Sequence, residues 1–189
     1  MTQTAVPTTQ LPAPGIWDLD PTHSHVEFVV RHVMSKVRGR FKDFAGTITV
    51  GDTPTGSQAE AVIQTASVDT HHADRDAHLR SDDFFSAEQY PTITFRSTRV
   101  EPGEGNEFRL VGDLTIRDVT REVTLDAEYH GTAANDSVFG ERTGFSAATE
   151  VNREDFGLTW NKALDTGGLV LGNKVRLELE IEAIRRQES

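Results

Sequence analysis

Apolar and polar residues alternate with period two over most of the chain. Val26, Phe28, Val30 and His32 oppose Glu27, Val29 and Arg31, and Phe108, Leu110, Leu114 and Ile116 oppose Arg109, Asp113, Thr115 and Arg117. The same pattern sets Val123, Leu125, Ala127 and Tyr129 against Glu122, Thr124, Asp126, Glu128 and His130. It recurs where Val175, Leu177, Leu179 and Ile181 oppose Arg176, Glu178, Glu180 and Glu182. Such alternation marks strands with one buried and one wetted face, the antiparallel pattern and not the doubly buried parallel one. Weaker alternation covers residues 39–50, 59–68, 92–100 and 143–152. Turn residues separate the runs at 51–56, 102–106, 118–120, 131–140 and 167–168.

About eight strands joined by short turns form a meander, and closing a meander of that size removes its exposed edges. The predicted fold is all-β: an eight-stranded antiparallel up-and-down (lipocalin-like) barrel. An open sandwich is the alternative; the barrel is favoured because one apolar face per strand is what a single closed sheet requires.

The stretch 75–95 interrupts this pattern. Arg75, Asp76, His78, Arg80, Asp82 and Asp83 crowd together ahead of two adjacent aromatics, Phe84 and Phe85. Pro91 then closes the run, and Ile93 and Phe95 resume strand alternation. A short helical insertion near 75–85 is expected, lying over one mouth of the barrel with Phe84 and Phe85 turned inward. Residues 163–165 are the other helical candidate.

The first 15 residues are rich in Thr, Pro, Gln and Ala without charge or apolar periodicity, and read as a disordered tail. Residues 16–189 then suit one domain with room for a core. The chain has no cysteine, which excludes disulfides, thiolate metal sites and a cysteine nucleophile. Its start shows no basic, apolar signal-peptide pattern and no stretch approaches a membrane span, so a cytoplasmic protein without stable membrane insertion is expected. A net charge of −11 disfavours nucleic acid as a partner. Lys36, Arg38, Arg40 and Lys42 would share one face of a strand, either as a solvated outer wall or as an anion or headgroup site.

A barrel of this size is either filled by its own side chains or holds one small ligand. The inward candidates mix large residues (Phe28, Phe95, Phe108, Leu110, Tyr129) with small ones (Ala61, Gly112, Ala127, Ala147), and the pattern alone leaves both outcomes open.

Three polar constellations invite chemistry. His71, His72, Asp74 and His78 are the densest group, and His71 and His78 would share a face of a helix; zinc is one reading. The group lacks the His-Glu-x-x-His spacing of helical metalloenzymes, and the other reading has Arg75, Asp76 and His78 anchoring the insertion through charge-assisted hydrogen bonds. His23 and Ser24 with Asp18 or Asp20 suggest a triad, but no strained nucleophile turn stands there; closing the barrel end through backbone bonds is the plainer role. His32 continues the apolar face of β-type residues before it, as an inward polar group for a ligand headgroup or as a satisfied core histidine. Gly157, between Phe156 and Trp160, suggests a strand bulge, with Trp17 and Trp160 as end plugs or mouth residues.

Several segments together carry a resemblance: Trp17-Asp18-Leu19-Asp20-Pro21-Thr22-His23-Ser24, Phe28 with Arg31-His32, Val37-Arg38-Gly39-Arg40-Phe41 with Phe44 and Gly46, and Arg75-Asp76-Ala77-His78-Leu79. Asp83-Phe84-Phe85, Tyr90-Pro91-Thr92-Ile93-Thr94-Phe95, Gly112-Asp113-Leu114-Thr115-Ile116 and Arg153-Glu154-Asp155-Phe156-Gly157-Leu158 continue it. In this order and spacing the chain resembles the YceI family of bacterial lipocalin-like barrels. The resemblance implies an elongated apolar pore holding a polyisoprenoid, an isoprenoid quinone or a similar lipid, with no cofactor and no catalytic residues to carry over. It also implies a homodimer, and for many members an export signal that is not visible at the start of this chain. The pore lining expected here is Phe28, Val30, His32, Phe84, Phe85, Phe95, Phe108, Leu110, Phe156 and Trp160, with Arg75, Asp76 and His78 anchoring the lid. The competing function is an enzyme or metal-dependent protein acting on such a lipid through His71 to His78.

Overall fold

The computed structural model describes residues 9–136 and 140–187. Eleven strands and one α-helix follow in the order β1 (Gly15–Leu19), β2 (His25–His32), β3 (Ser35–Phe41), β4 (Phe44–Val50), β5 (Gln58–Gln64), β6 (Val68–Asp69), α1 (Ala73–Arg80), β7 (Thr92–Pro102), β8 (Glu107–Ile116), β9 (Val119–Asp136), β10 (Gly140–Asn152) and β11 (Leu171–Arg185). All neighbouring strands are antiparallel, and pairing of β1 with β11 closes the ring. The barrel has eight positions because the first three are each built from two consecutive pieces: β1 and β2 both lie along β11, β4 and β3 along those, and β5 and β6 along the next.

The breaks have local causes. Between β1 and β2, Pro21 has no N–H for a ladder, and the Asp20 carboxylate accepts the Thr22 N–H (2.9 Å) and hydroxyl (2.6 Å), turning the chain. Between β3 and β4, the Lys42 N–H bonds Ser67 O (3.2 Å), and Asp43 O accepts the Gln64 N–H (2.8 Å). The 3-10 turn Thr65–Ser67 separates β5 from β6. These contacts tie the second and third breaks together, so the wall bends there. Beyond the bend β6 pairs only with β3, β7 begins at Thr92, and α1 with residues 81–91 occupies the opening between them.

α1 differs in position from the expected 75–85. It starts at Ala73, where His72 Nδ1 accepts the Arg75 N–H (3.3 Å), and stops at Arg80, so Phe84 and Phe85 lie in the following turn. Residues 163–165 are not helical; Ala163 bridges Leu169, and the intervening Gly167 and Gly168 have positive φ. The tail expected over residues 1–15 falls into two parts, of which residues 1–8 lie outside the described residues. From Thr9 the chain is docked: the Thr9 hydroxyl donates to Gly103 O (3.1 Å) and accepts from its N–H (3.0 Å), and the Gln10 N–H bonds Gly105 O (2.8 Å). Backbone groups and one hydroxyl make these bonds, a capacity that low apolar content does not reveal.

Candidate functional site

Strand alternation brings the inward side chains into two apolar cavities placed end to end. The upper one, about 320 Å³, opens at the end capped by α1 and is bounded by Phe28, Val30, Phe41, Ile93, Leu114, Phe156, Val175 and Leu177 among others. The lower one, about 130 Å³, lies among Val50, Val100, Phe108, Leu110, Ala127 and Phe145, with Leu11 of the docked N-terminal segment across it. Leu19, Ala61, Phe95, Leu125, Leu179 and Ile181 border both, forming a waist. Trp17, fully buried with Val50 and Ala183, plugs the lower end and lines neither cavity.

Glycines on neighbouring strands explain why large aromatics leave space. Phe28 stands opposite Gly39, and its ring lies where a β-carbon at 39 would be, 2.3 Å from Cζ. The Phe95 ring similarly occupies the space over Gly112, with Cζ 2.7 Å from a β-carbon there. Each ring thus fills space that a side chain on the neighbouring strand would otherwise take. The Ser97–Arg99 bulge between β7 and β8 then adds one residue, which keeps Val100 on the inner face below Phe95.

The mouth is built by α1 and its turn. Asp76 accepts the Thr70 N–H (2.8 Å) and hydroxyl (2.6 Å), while Arg75 donates to Thr70 Oγ1 (2.7 Å) and Thr70 O (2.8 Å). Arg80 reaches Ala66 O (2.9 Å) and Val68 O (3.1 Å). His78 bonds Asp83 (2.8 Å) and packs edge-on to Trp160 (4.7 Å) and Phe84 (5.0 Å). Phe85 meets Phe41 edge-on at 5.7 Å. The ten residues expected to line a pore divide accordingly: Phe108 and Leu110 border the lower cavity, Phe95 the waist, and Phe28, Val30, His32, Phe84, Phe85, Phe156 and Trp160 the upper one.

Arg153, whose role sequence reasoning missed, is the polar centre of this end. It is buried, borders the upper cavity, and donates to Gly172 O (2.9 Å), Leu158 O, Trp160 O (2.9 Å) and Asn173 Oδ1 (3.1 Å). Burial pushes its guanidinium pKa down, and all four acceptors are neutral. Gly157 is no bulge; with φ 77° it closes the 3-10 turn Arg153–Phe156, its N–H bonding Glu154 O (3.0 Å). Arg153 opens a turn that continues Glu154-Asp155-Phe156, a charged run in the sequence, and nothing in the spacing marked the arginine as inward.

The histidine cluster does not converge. His71 precedes the helix with φ 59°, its N–H bonding Asp69 (2.9 Å); His72 caps α1; His78 turns to Asp83. A shared helical face for His71 and His78 requires both to be helical, and α1 begins only at Ala73. Among the described residues the grouping with metal-ligand spacing is instead Asp20, His23 and Glu182. Arg142 already donates to both carboxylates, at 2.7 Å to Asp20, so this is an ion-pair network. Burial raises the Asp20 pKa, but hydrogen bonds from Thr22, Arg142 and His23 outweigh it and leave the carboxyl well below its usual range. Ser24 donates to Glu182 O (3.1 Å) and accepts its N–H (2.9 Å), the backbone role in place of a nucleophile's. The site is the wall break between β1 and β2, not a barrel end. On the outer wall Arg38 pairs with Glu178 (2.6 Å) and Glu27 (3.4 Å), and Arg40 (3.4 Å) and Lys42 (3.7 Å) with Asp69.

A closed eight-stranded antiparallel barrel with one helix at its mouth and an apolar interior is a lipocalin-like barrel. The chain belongs to the YceI-like family, whose model, described as a YceI-like domain, matches residues 17–183. It is 40% identical over 169 residues to a UPF0312 protein of Staphylococcus epidermidis, covering 88% of this chain and 95% of that one. The Campylobacter jejuni YCEI protein superposes with a TM-score of 0.70 at 32% identity, over 82% of this chain and 88% of that one. A polyisoprenoid binding domain from Saccharophagus degradans shares the fold, with a TM-score of 0.66 at 18% identity over 92% and 100% of the two chains. No helix among the described residues is long and apolar enough to cross a membrane.

Proposed function

We propose that the barrel binds a long-chain apolar ligand, a polyisoprenoid, isoprenoid quinone or lipid of similar shape, and carries or sequesters it. The observation that carries this reading is the pair of apolar cavities in line, the lower one walled almost wholly by apolar atoms and the upper one bordered by the polar side chains of Thr70, Arg75, His78, Arg153 and His32. A chain threaded through the waist would leave its polar end at the mouth. Each buried CH2 contributes roughly 0.8 kcal/mol, so about a dozen outweigh the ordering costs of binding. The polyisoprenoid binding named for the Saccharophagus degradans domain supports the same ligand class.

Protein purified without detergent from its own host, extracted with organic solvent and examined by mass spectrometry, is expected to release such a lipid. Trp160 borders the upper cavity and Trp17 neither, so added isoprenoid quinone should quench part of the tryptophan fluorescence. Ala61→Phe, filling the waist, should shift the bound lipids toward shorter chains. Protein that emerges empty and is not quenched by quinone would overturn the proposal.

A further inference from the structure

The upper rim is apolar and cationic on one side. The two-residue turn between β2 and β3 carries Val33 and Met34, and the loop before β11 carries Leu169; the Val33 N–H bonds Val170 O (2.8 Å) and holds the two together. Met34 is 89% exposed, Leu169 57% and Val33 39%, the most exposed large apolar cluster among the described residues. Val33 has φ 52°, a left-handed position where a β-branched residue is strained and glycine is the ordinary choice. An exposed, apolar, strained tip is a poor turn and needs another reason to exist.

Just behind the tip, Arg31 and Lys36 face each other across the β2–β3 register, and Lys162 stands on the adjoining loop. Like charges directly opposite are unfavourable, yet among the described residues none of the three makes an ion pair. The other cations of the same outer wall, Arg38, Arg40 and Lys42, are all paired. Asp165 sits in the loop itself; Asp82, Asp83 and Asp118 belong to the α1 turn and the β8–β9 turn, which meet where Arg117 lies over Tyr90. One step inward from the patch, His32, Val170 and Leu171 border the upper cavity, so patch and opening are continuous.

We propose that this rim is a docking surface for an anionic lipid bilayer. Val33, Met34 and Leu169 dip among the headgroups while Arg31, Lys36 and Lys162 meet the phosphates, which turns the mouth toward the membrane. This rests on the ligand reading above and extends it: the ligand then passes between bilayer and barrel without crossing water. A convex hairpin tip with unpaired cations suits a fluid surface, whereas a protein partner needs roughly 800 Å² of complementary area on each side. The net charge of −11 does not forbid the contact, because acids beyond a Debye length of about 8 Å are screened at physiological salt. Such a peripheral contact, apolar tip plus local cations, is the usual composition of reversible membrane binding.

The test uses flotation of the full chain with vesicles of phosphatidylcholine and phosphatidylglycerol, against phosphatidylcholine alone, all free of isoprenoid. The chain is expected to float with the anionic vesicles and to release as salt rises. Arg31→Gln with Lys36→Gln should weaken binding roughly fivefold per cation removed, and Met34→Ser with Leu169→Ser about tenfold. Quinone uptake from detergent solution should be unchanged in both double variants, since none of the four side chains borders a cavity. Absence of binding to anionic vesicles, or double variants that float like the parent chain, would overturn the docking surface. Vesicle binding without quinone uptake by any of the proteins would retire the pore reading and leave the docking surface standing.

Discussion

Replacing Gly39 by alanine tests whether the interior is kept open by rings that fill the space a neighbouring side chain would otherwise take. A β-carbon at 39 would stand 2.3 Å from Phe28 Cζ and 2.8 and 2.9 Å from its Cε atoms, where ordinary contact begins near 3.4 Å. The ring must therefore retreat by about 1 Å, and away from the wall means toward the bore. It is not free to do so cheaply: Phe28 packs on Phe41 at 5.7 Å, and Phe41 on Phe85 at 5.7 Å. Overpacking of this kind costs about 1–3 kcal/mol. Alanine regains roughly 0.4–1 kcal/mol through the unfolded chain, because φ at 39 is ordinary. The net expectation is a loss of about 1–2 kcal/mol, a fall of roughly 2–8 °C in Tm for a chain of this size. Thermal and urea unfolding of the parent, Gly39→Ala, Phe28→Ala and the double variant make a cycle that isolates the pair. In the Phe28→Ala background the alanine at 39 should be neutral or slightly stabilising. A cost below about 0.5 kcal/mol, or one that persists unchanged without the ring, would refute the reasoning.

Asp20→Asn should cost about 2–3 kcal/mol at neutral pH, since it removes charge-assisted bonds to Arg142, Thr22 and His23. Because the Asp20 carboxyl is held below its unfolded value of about 3.9, its contribution is present above that pH and fades as pH falls through the folded value. The two proteins should therefore converge in urea unfolding at acid pH; a constant difference would refute the assignment. Arg153→Met leaves the carbonyls of Leu158, Trp160 and Gly172 without their donor, at about 1–3 kcal/mol for each one left dry, and Arg153→Lys should not restore them because ammonium lacks the planar fork. Hydrogen exchange should accelerate across residues 158–172 in both variants, and unchanged protection would count against the role. Elemental analysis of the purified protein, with His78→Ala alongside, should find no stoichiometric metal and only a loosened lid.

Much of the barrel was legible because period two is a local property: a residue faces the bore or the water by its place in the strand. That is why alternation alone places Phe28, Phe95, Phe108 and Leu110 on the inner face, where they border the cavities. The α1 boundaries were less so, because His72, not Arg75, supplies the cap, and a histidine cap is a weak signal. The docking of the segment from Thr9 is not legible in the sequence, because its partners, Gly103 and Gly105, are some ninety residues away and are bound through the backbone.

By itself, then, the order of residues determined strand faces, a closed barrel of eight positions and the lid's place between strands, and it carried the family resemblance; the breaks that divide three of those positions into β1 and β2, β3 and β4, and β5 and β6 came from the tertiary structure. The tertiary structure decided whether the bore is hollow. That outcome depends on which glycine each ring lies against, Gly39 under Phe28 and Gly112 beside Phe95, and cross-strand register sets those pairs only once the sheet has closed. It also decided that Arg153 turns inward to carbonyls while the histidines disperse to separate neighbours, because a polar side chain takes its direction from the partners that the folded backbone sets within reach.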